Sequence, residues 1–147
     1  MIRHVWSVLC ARSIIDNESN NISLLEVLEQ LAVTAPPGQA ALSQTDKISV
    51  PLNSELVTLW TRSGDVPEQS RARIRIVNAG GDELHVSEIA VDLTKHARLR
   101  SRARLNGLAI RGPGVHEFRV SLEEQGRWEE VARIPLQIIF GPPPTSP

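Results

Sequence analysis

An all-β fold is what this sequence predicts: a single-domain antiparallel β-sandwich of seven or eight strands, immunoglobulin-like or C2-like. Three observations lead there. Polar and glycine-containing turns interrupt the chain at short intervals, as in Asp16–Asn21, Ser63–Ser70, Asn78–Asp82 and Gly112–Gly114. Between the turns, several segments alternate apolar with charged residues at a period of two, the signature of a strand with one dry and one wet face. The length of 147 residues suits one domain, long enough to bury a core without a metal or a disulfide.

Each element follows in order. His4 to Ile15 is rich in bulky and β-branched residues and reads as a strand. Asp16 to Asn21 is a turn, because Asn and Asp tolerate left-handed backbone and bond their own main chain. Ile22 to Val33 is two-sided. Leu24, Leu25, Leu28 and Leu31 follow helical spacing, with Ser23 and Glu26 as a capping box, while Leu25, Val27, Leu31 and Val33 alternate like a strand. Local signals alone favour the helix. Ala35 to Asn53, with three prolines, reads as a long loop in which Ile48 and Val50 pair briefly.

Glu55 to Arg62 is a strand apolar on both faces, hence central or covered on its outer side. In Arg71–Ile76 three arginines alternate with Ala72, Ile74 and Ile76. Leu84–Leu93 is a strand whose apolar face switches, which predicts a bulge. Arg98, Arg100, Arg102 and Arg104 alternate with Leu99, Ser101, Ala103 and Leu105. Val115–Glu123 and Trp128–Phe140 form the last hairpin, with Ala132, Ile134, Leu136 and Ile138 inward. The domain is expected over residues 1–140, and residues 141–147 as a disordered, proline-rich tail.

These segments resemble a bacterial family of small β-sandwich proteins of unknown function. The likeness is carried by Asn21-Ile22-Ser23-Leu24-Leu25-Glu26-Val27-Leu28-Glu29, by the strand Leu56 to Arg62, and by the glycine turn in Val77 to Asp82. Gly114-Val115-His116-Glu117-Phe118-Arg119-Val120 and the closing strand Ile134 to Ile138 complete it. An aromatic commonly follows the late glycine in that family, where this chain has Val115 and His116. The resemblance implies a strand for Ile22 to Val33 and carries no activity.

Composition narrows function. Sixteen Lys and Arg against seventeen Asp and Glu give a net charge of −1, so no global field attracts nucleic acid or membrane. No stretch approaches the roughly 18 apolar residues of a membrane helix. A lone cysteine, Cys10, excludes an internal disulfide, and the first residues lack an apolar signal core; the expected compartment is cytoplasmic. The chain has no nucleophile elbow, phosphate loop or zinc-ligand spacing, and no cofactor is implied. Asp16–Asn21 lacks the carboxylate spacing of a calcium loop. Trp6, Trp60 and Trp128 read as core residues.

One feature rises above this background. Residues 71–104 carry eight basic and four acidic side chains, whereas residues 1–70 carry four basic and eight acidic, so a neutral total hides a polarised chain. Arg71, Arg73, Arg75, Arg98, Arg100, Arg102 and Arg104 are the candidate interaction face. Such rows serve as solvated faces paired with Glu83, Glu88, Asp92 or Glu117, or as a dock for an acidic protein or a second copy in a homodimer. Nucleic acid is the least favoured partner, because no aromatics interleave with the arginines. The expectation is a non-enzymatic protein–protein interaction or structural module. The alternatives are a metal-dependent or His/Cys-based enzyme using His4, Cys10 and His116, and a nucleic-acid-binding module.

Overall fold

A computed structural model describes residues 1–142 and consists of β-strands and turns, with no helix among the described residues. The strands are β1 (Ile2–Ile15), β2 (Ile22–Val27), β3 (Gln30–Val33), β4 (Lys47–Arg62), β5 (Glu68–Val77), β6 (Glu83–Leu93), β7 (Arg98–Arg111), β8 (Gly114–Glu124) and β9 (Arg127–Phe140). They form two curled sheets, a four-stranded one in the order β2-β1-β4-β7 and a five-stranded one in the order β3-β9-β8-β5-β6. All pairings are antiparallel except that of β3 with β9. Among the described residues there are therefore nine strands, not seven or eight. The proline-rich tail expected over 141–147 lies, from residue 143 on, outside the described residues; the Gly141 N–H donates to the Val33 carbonyl at 3.0 Å.

Period-two placement builds the core. Leu9, Leu56, Trp60, Ala103 and Leu105 come from the smaller sheet, and Ala72, Ile74, Phe118, Val120, Leu136 and Ile138 from the larger, into one apolar cluster.

Two segments depart from the expectations. Residues 22–33 form two strands, β2 and β3, broken at Leu28–Glu29 and belonging to different sheets, and not the helix of the local signals or the one continuous strand that the resemblance implies. The Asp16–Asn21 turn folds β2 back onto β1, with Ser23, the expected helix cap, opposite Ile14. Glu26 then takes a left-handed φ of 55°, and the chain crosses from one sheet to the other. Leu28 N–H donates to the Leu9 carbonyl at 2.9 Å, and Glu29 accepts from Gln137 N–H at 3.0 Å. Pairing on both sides outweighs a weak helical propensity. The expected loop 35–53 is also shorter, because β4 already begins at Lys47. Pro51 and Asn53, which look like loop residues, sit at a register shift in the ladder with β7, where a missing N–H is tolerated.

Turn glycines close the hairpins. Gln125 and Gly126 both have positive φ, the backbone of a two-residue hairpin turn between Glu124 and Arg127. Gly112 is the tightest position: at φ 66° an added Cβ would lie 2.6 Å from the Gln44 carbonyl oxygen. Gly112→Ala is expected to cost about 2 kcal/mol or more, a fall of roughly 4–8 °C in Tm. Gly81→Ala, with φ 86° but open space around its Cβ, bears only the backbone part, about 1 kcal/mol. Thermal melts of the two variants check the difference; equal losses would remove the Gln44 contact as its cause.

Candidate interaction surface

The arginine rows lie on the outer faces of different sheets. On β5, Ala72, Ile74 and Ile76 enter the core and Arg71, Arg73 and Arg75 point out. Cross-strand neighbours supply carboxylates to all three. Arg71 reaches Glu123 at 2.6 Å and Glu88 at 3.3 Å, Arg73 reaches Glu88 at 3.1 Å, and Arg75 reaches Glu83 at 3.5 Å. The pattern continues over β8 and β9, where Arg119 and Arg133 share Glu117 and Glu130 at 2.7–3.9 Å. Five guanidinium groups thus meet five carboxylates. Hydrogen bonding to Glu123, then its charge, holds Arg71 above its ordinary range.

Trp128 belongs to this face and not to the core. The Arg73 guanidinium lies 4.0 Å from its ring centroid and that of Arg71 5.7 Å, a cation–π stack. Parity alone would send Trp128 inward with Ala132, Ile134 and Leu136. A register shift, in which Val120 pairs with Ala132 but Ser121 with Glu130, inserts Val131 and reverses the faces beyond it. A similar shift at Val5 pairs His4 with Trp60 but Trp6 with Leu59, placing these two even-numbered residues on opposite faces. Of the three tryptophans, Trp60 alone is fully buried.

On β7 the surroundings differ. Arg98, Arg100, Arg102 and Arg104 stand opposite Thr61, Leu59, Val57 and Glu55 of β4. This outer face is itself partly dry: Val57 and Cys10 are 0% exposed. Two things cover it, the arginine stems and the folded-back end of the β1–β2 hairpin. Ser13 donates to Glu55 Oε2 at 2.5 Å, Arg102 donates to Ser13 Oγ at 3.3 Å, and Arg100 donates to Asn20 Oδ1 at 2.9 Å. Ile15, Asn20, Leu59 and Arg100 line one small cleft there. The two-faced apolarity of Glu55–Arg62 is thereby explained, since β4 is both central and covered.

Charge on this face is not balanced. Among the described residues, Glu55 is the one carboxylate within ion-pair distance of the row, 3.6 Å from Arg104 Nε. Asp16, in the overlying turn, is committed to its own backbone through Ser19 N–H at 2.8 Å and then Glu18 N–H at 2.9 Å, which hold its carboxyl below the usual range. Arg100 and Arg102 have neutral oxygen partners instead. Of the anticipated acidic partners, Glu83 and Glu88 serve the β5 row, Glu117 serves Arg119 and Arg133, and Asp92 is bonded by Thr94.

His4, Cys10 and His116 are spread among three environments. His4 Nε2 is 2.8 Å from Ser7 Oγ, which is 2.8 Å from Thr58 Oγ1, and burial lowers the pKa of the ring. Cys10 lies on the other face of β1 beside Glu55; burial, then the Glu55 charge, pushes its thiol up and away from the reactive thiolate. His116 is buried at the β7–β8 turn, accepting from Arg111 N–H at 3.1 Å on Nε2 and facing the Gly114 carbonyl through Nδ1 at 3.3 Å. Among the described residues no three His, Cys, Asp or Glu side chains gather to hold a metal ion. No helix among them is long and apolar enough to cross a membrane.

The molecule is thus an all-β protein with one ion-paired and one unbalanced arginine face. No family model matches the chain, and no curated protein matches it significantly.

Proposed function

We propose that this chain is a non-enzymatic, cytoplasmic interaction module that docks an acidic protein surface on the β7 arginine row. We further read its two sheets as an immunoglobulin-like or C2-like β-sandwich of the bacterial family it resembles. One observation carries the docking reading: Arg98, Arg100, Arg102 and Arg104 have a single carboxylate among them, whereas the β5 row is matched by acids of its own sheet. Unspent guanidinium groups on a pre-ordered strand offer forked donors at a fixed spacing. The seven arginines expected to act together therefore divide. Arg71, Arg73 and Arg75 stabilise a sheet face, and the β7 four recognise. A protein partner fits better than nucleic acid, because Trp60 is buried and Trp128 is stacked under arginines of the other sheet.

The test compares two triple variants on immobilised polyglutamate at low salt, with immobilised DNA in parallel. Arg98→Ser/Arg100→Ser/Arg102→Ser is expected to weaken polyglutamate retention about tenfold with little loss of Tm. Arg71→Ser/Arg73→Ser/Arg75→Ser is expected to retain binding and lose stability. Equal retention by both variants, or stronger retention on DNA than on polyglutamate, overturns the assignment.

A further inference from the structure

We propose that the groove between β6 and β7 receives an extended segment of an acidic partner as an added strand. This rests on the docking reading above and specifies the form of its ligand. β6 is the edge of the five-stranded sheet and β7 the edge of the four-stranded one, and they run close together without a ladder joining them. Between them opens a cavity of about 540 Å³, bordered by Ser87, Ile89, Arg102, Ala103, Arg104 and Leu105. Strand edges carry unpaired N–H and C=O groups and are templates for another strand.

The walls specify the occupant. Ala103 and Leu105 of β7, with Ile76 and Ile89 from the opposite sheet, give an apolar floor. The rim carries Arg102 and Arg104, with Arg100 and Arg98 further along the same strand. A strand laid here presents alternate residues to floor and rim, so the fitting sequence alternates small apolar with acidic residues. The acids of β6 do not contest this arrangement. Glu83 is held by Arg75, Glu88 by Arg71 and Arg73, and Asp92 by the backbone N–H and hydroxyl of Thr94 at 3.0 and 2.6 Å. The charge bordering the groove without a carboxylate is that of Arg102, which has only the Ser13 hydroxyl, while Arg104 shares its charge with Glu55.

The probe is a heptapeptide in which Glu alternates with Val, titrated into the full chain by calorimetry. A second version carries N-methyl groups on alternate backbone amides, keeping charge and side chains while removing edge donors. The parent is expected to bind and to protect amides of residues 85–91 and 101–105 from hydrogen exchange. N-methylation is expected to weaken it at least about tenfold, as is Arg98→Ser/Arg100→Ser/Arg102→Ser. Equal binding of the two peptides, without edge protection, removes strand addition but leaves acidic docking standing. If N-methylation abolishes binding while the triple variant binds normally, the arginine reading falls, and the proposed acidic specificity with it. No binding of the parent at millimolar concentration overturns the proposal.

Discussion

Trp60→Ala is expected to destabilise the protein by about 3–5 kcal/mol, lowering Tm by roughly 10 °C or more. Trp60 is 0% exposed near the C-terminal end of β4, at the close of the strand's continuous buried run from Ser54 to Trp60. Its indole N–H donates to Ser101 Oγ at 3.0 Å, and the His4 ring meets its edge at 5.6 Å and 76°. Truncation leaves a cavity next to a polar chain, His4–Ser7–Thr58, that lies in the same region. Trp60→Phe keeps much of the volume and loses the N–H donor, so it is expected to cost less, about 1–2 kcal/mol. Urea unfolding followed by circular dichroism separates the two. A loss below about 1 kcal/mol for Trp60→Ala is incompatible with a fully buried indole.

His116→Ala is expected to cost about 3 kcal/mol, from the cavity and from the Arg111 N–H left without its acceptor. His116 is 1% exposed, and burial outweighs the nearby Gly114 carbonyl to lower its pKa. His4 is shifted the same way by the same cause. The unfolded chain, whose histidines titrate near 6.5, therefore takes up protons before the folded one. The stability these two rings contribute is complete above that pH and declines as pH falls through it toward the lower folded-state values. Unfolding free energies at pH 7.5 and 5.5 are expected to differ less in His116→Ala than in the wild type. An identical difference in both would exclude His116 as a group responsible.

Strand identity was legible wherever charge and burial alternated without interruption, as in Arg71–Ile76 and Arg98–Leu105, because a pleated strand imposes that period by itself. Legibility failed where a single inserted residue reversed the faces. Val131 is such a residue, and nothing in its side chain distinguishes it from a paired neighbour, so parity alone sends Trp128 to the wrong side. It failed again at Ile22–Val33, where the decisive partners, β1 and β9, are invisible to a local window. The candidate site was half legible. The sequence places both arginine rows outward, but the acids that neutralise the first row come from β6 and β8, and the single carboxylate beside the second, Glu55, comes from β4. Asp16 illustrates the limit: a carboxylate close in the fold to Arg100, through Asn20, spends itself on its own turn.

The parallel pairing of β3 with β9 matches Gln30 to Gln137, 107 residues apart (137 − 30). Such a match has a high loop-closure entropy and raises the contact order, so slow folding follows from the topology. The two strands next to β3 in the larger sheet, β9 and β8, also follow all the other described strands in chain order. A nascent chain that has completed β1 to β7 has no partner for β3 and leaves one flank of β5 open. Cotranslational pairing can then reach the smaller sheet and the β5–β6 hairpin, while the free flank of β5 waits for Gly114–Glu124 and β3 waits for Arg127–Phe140.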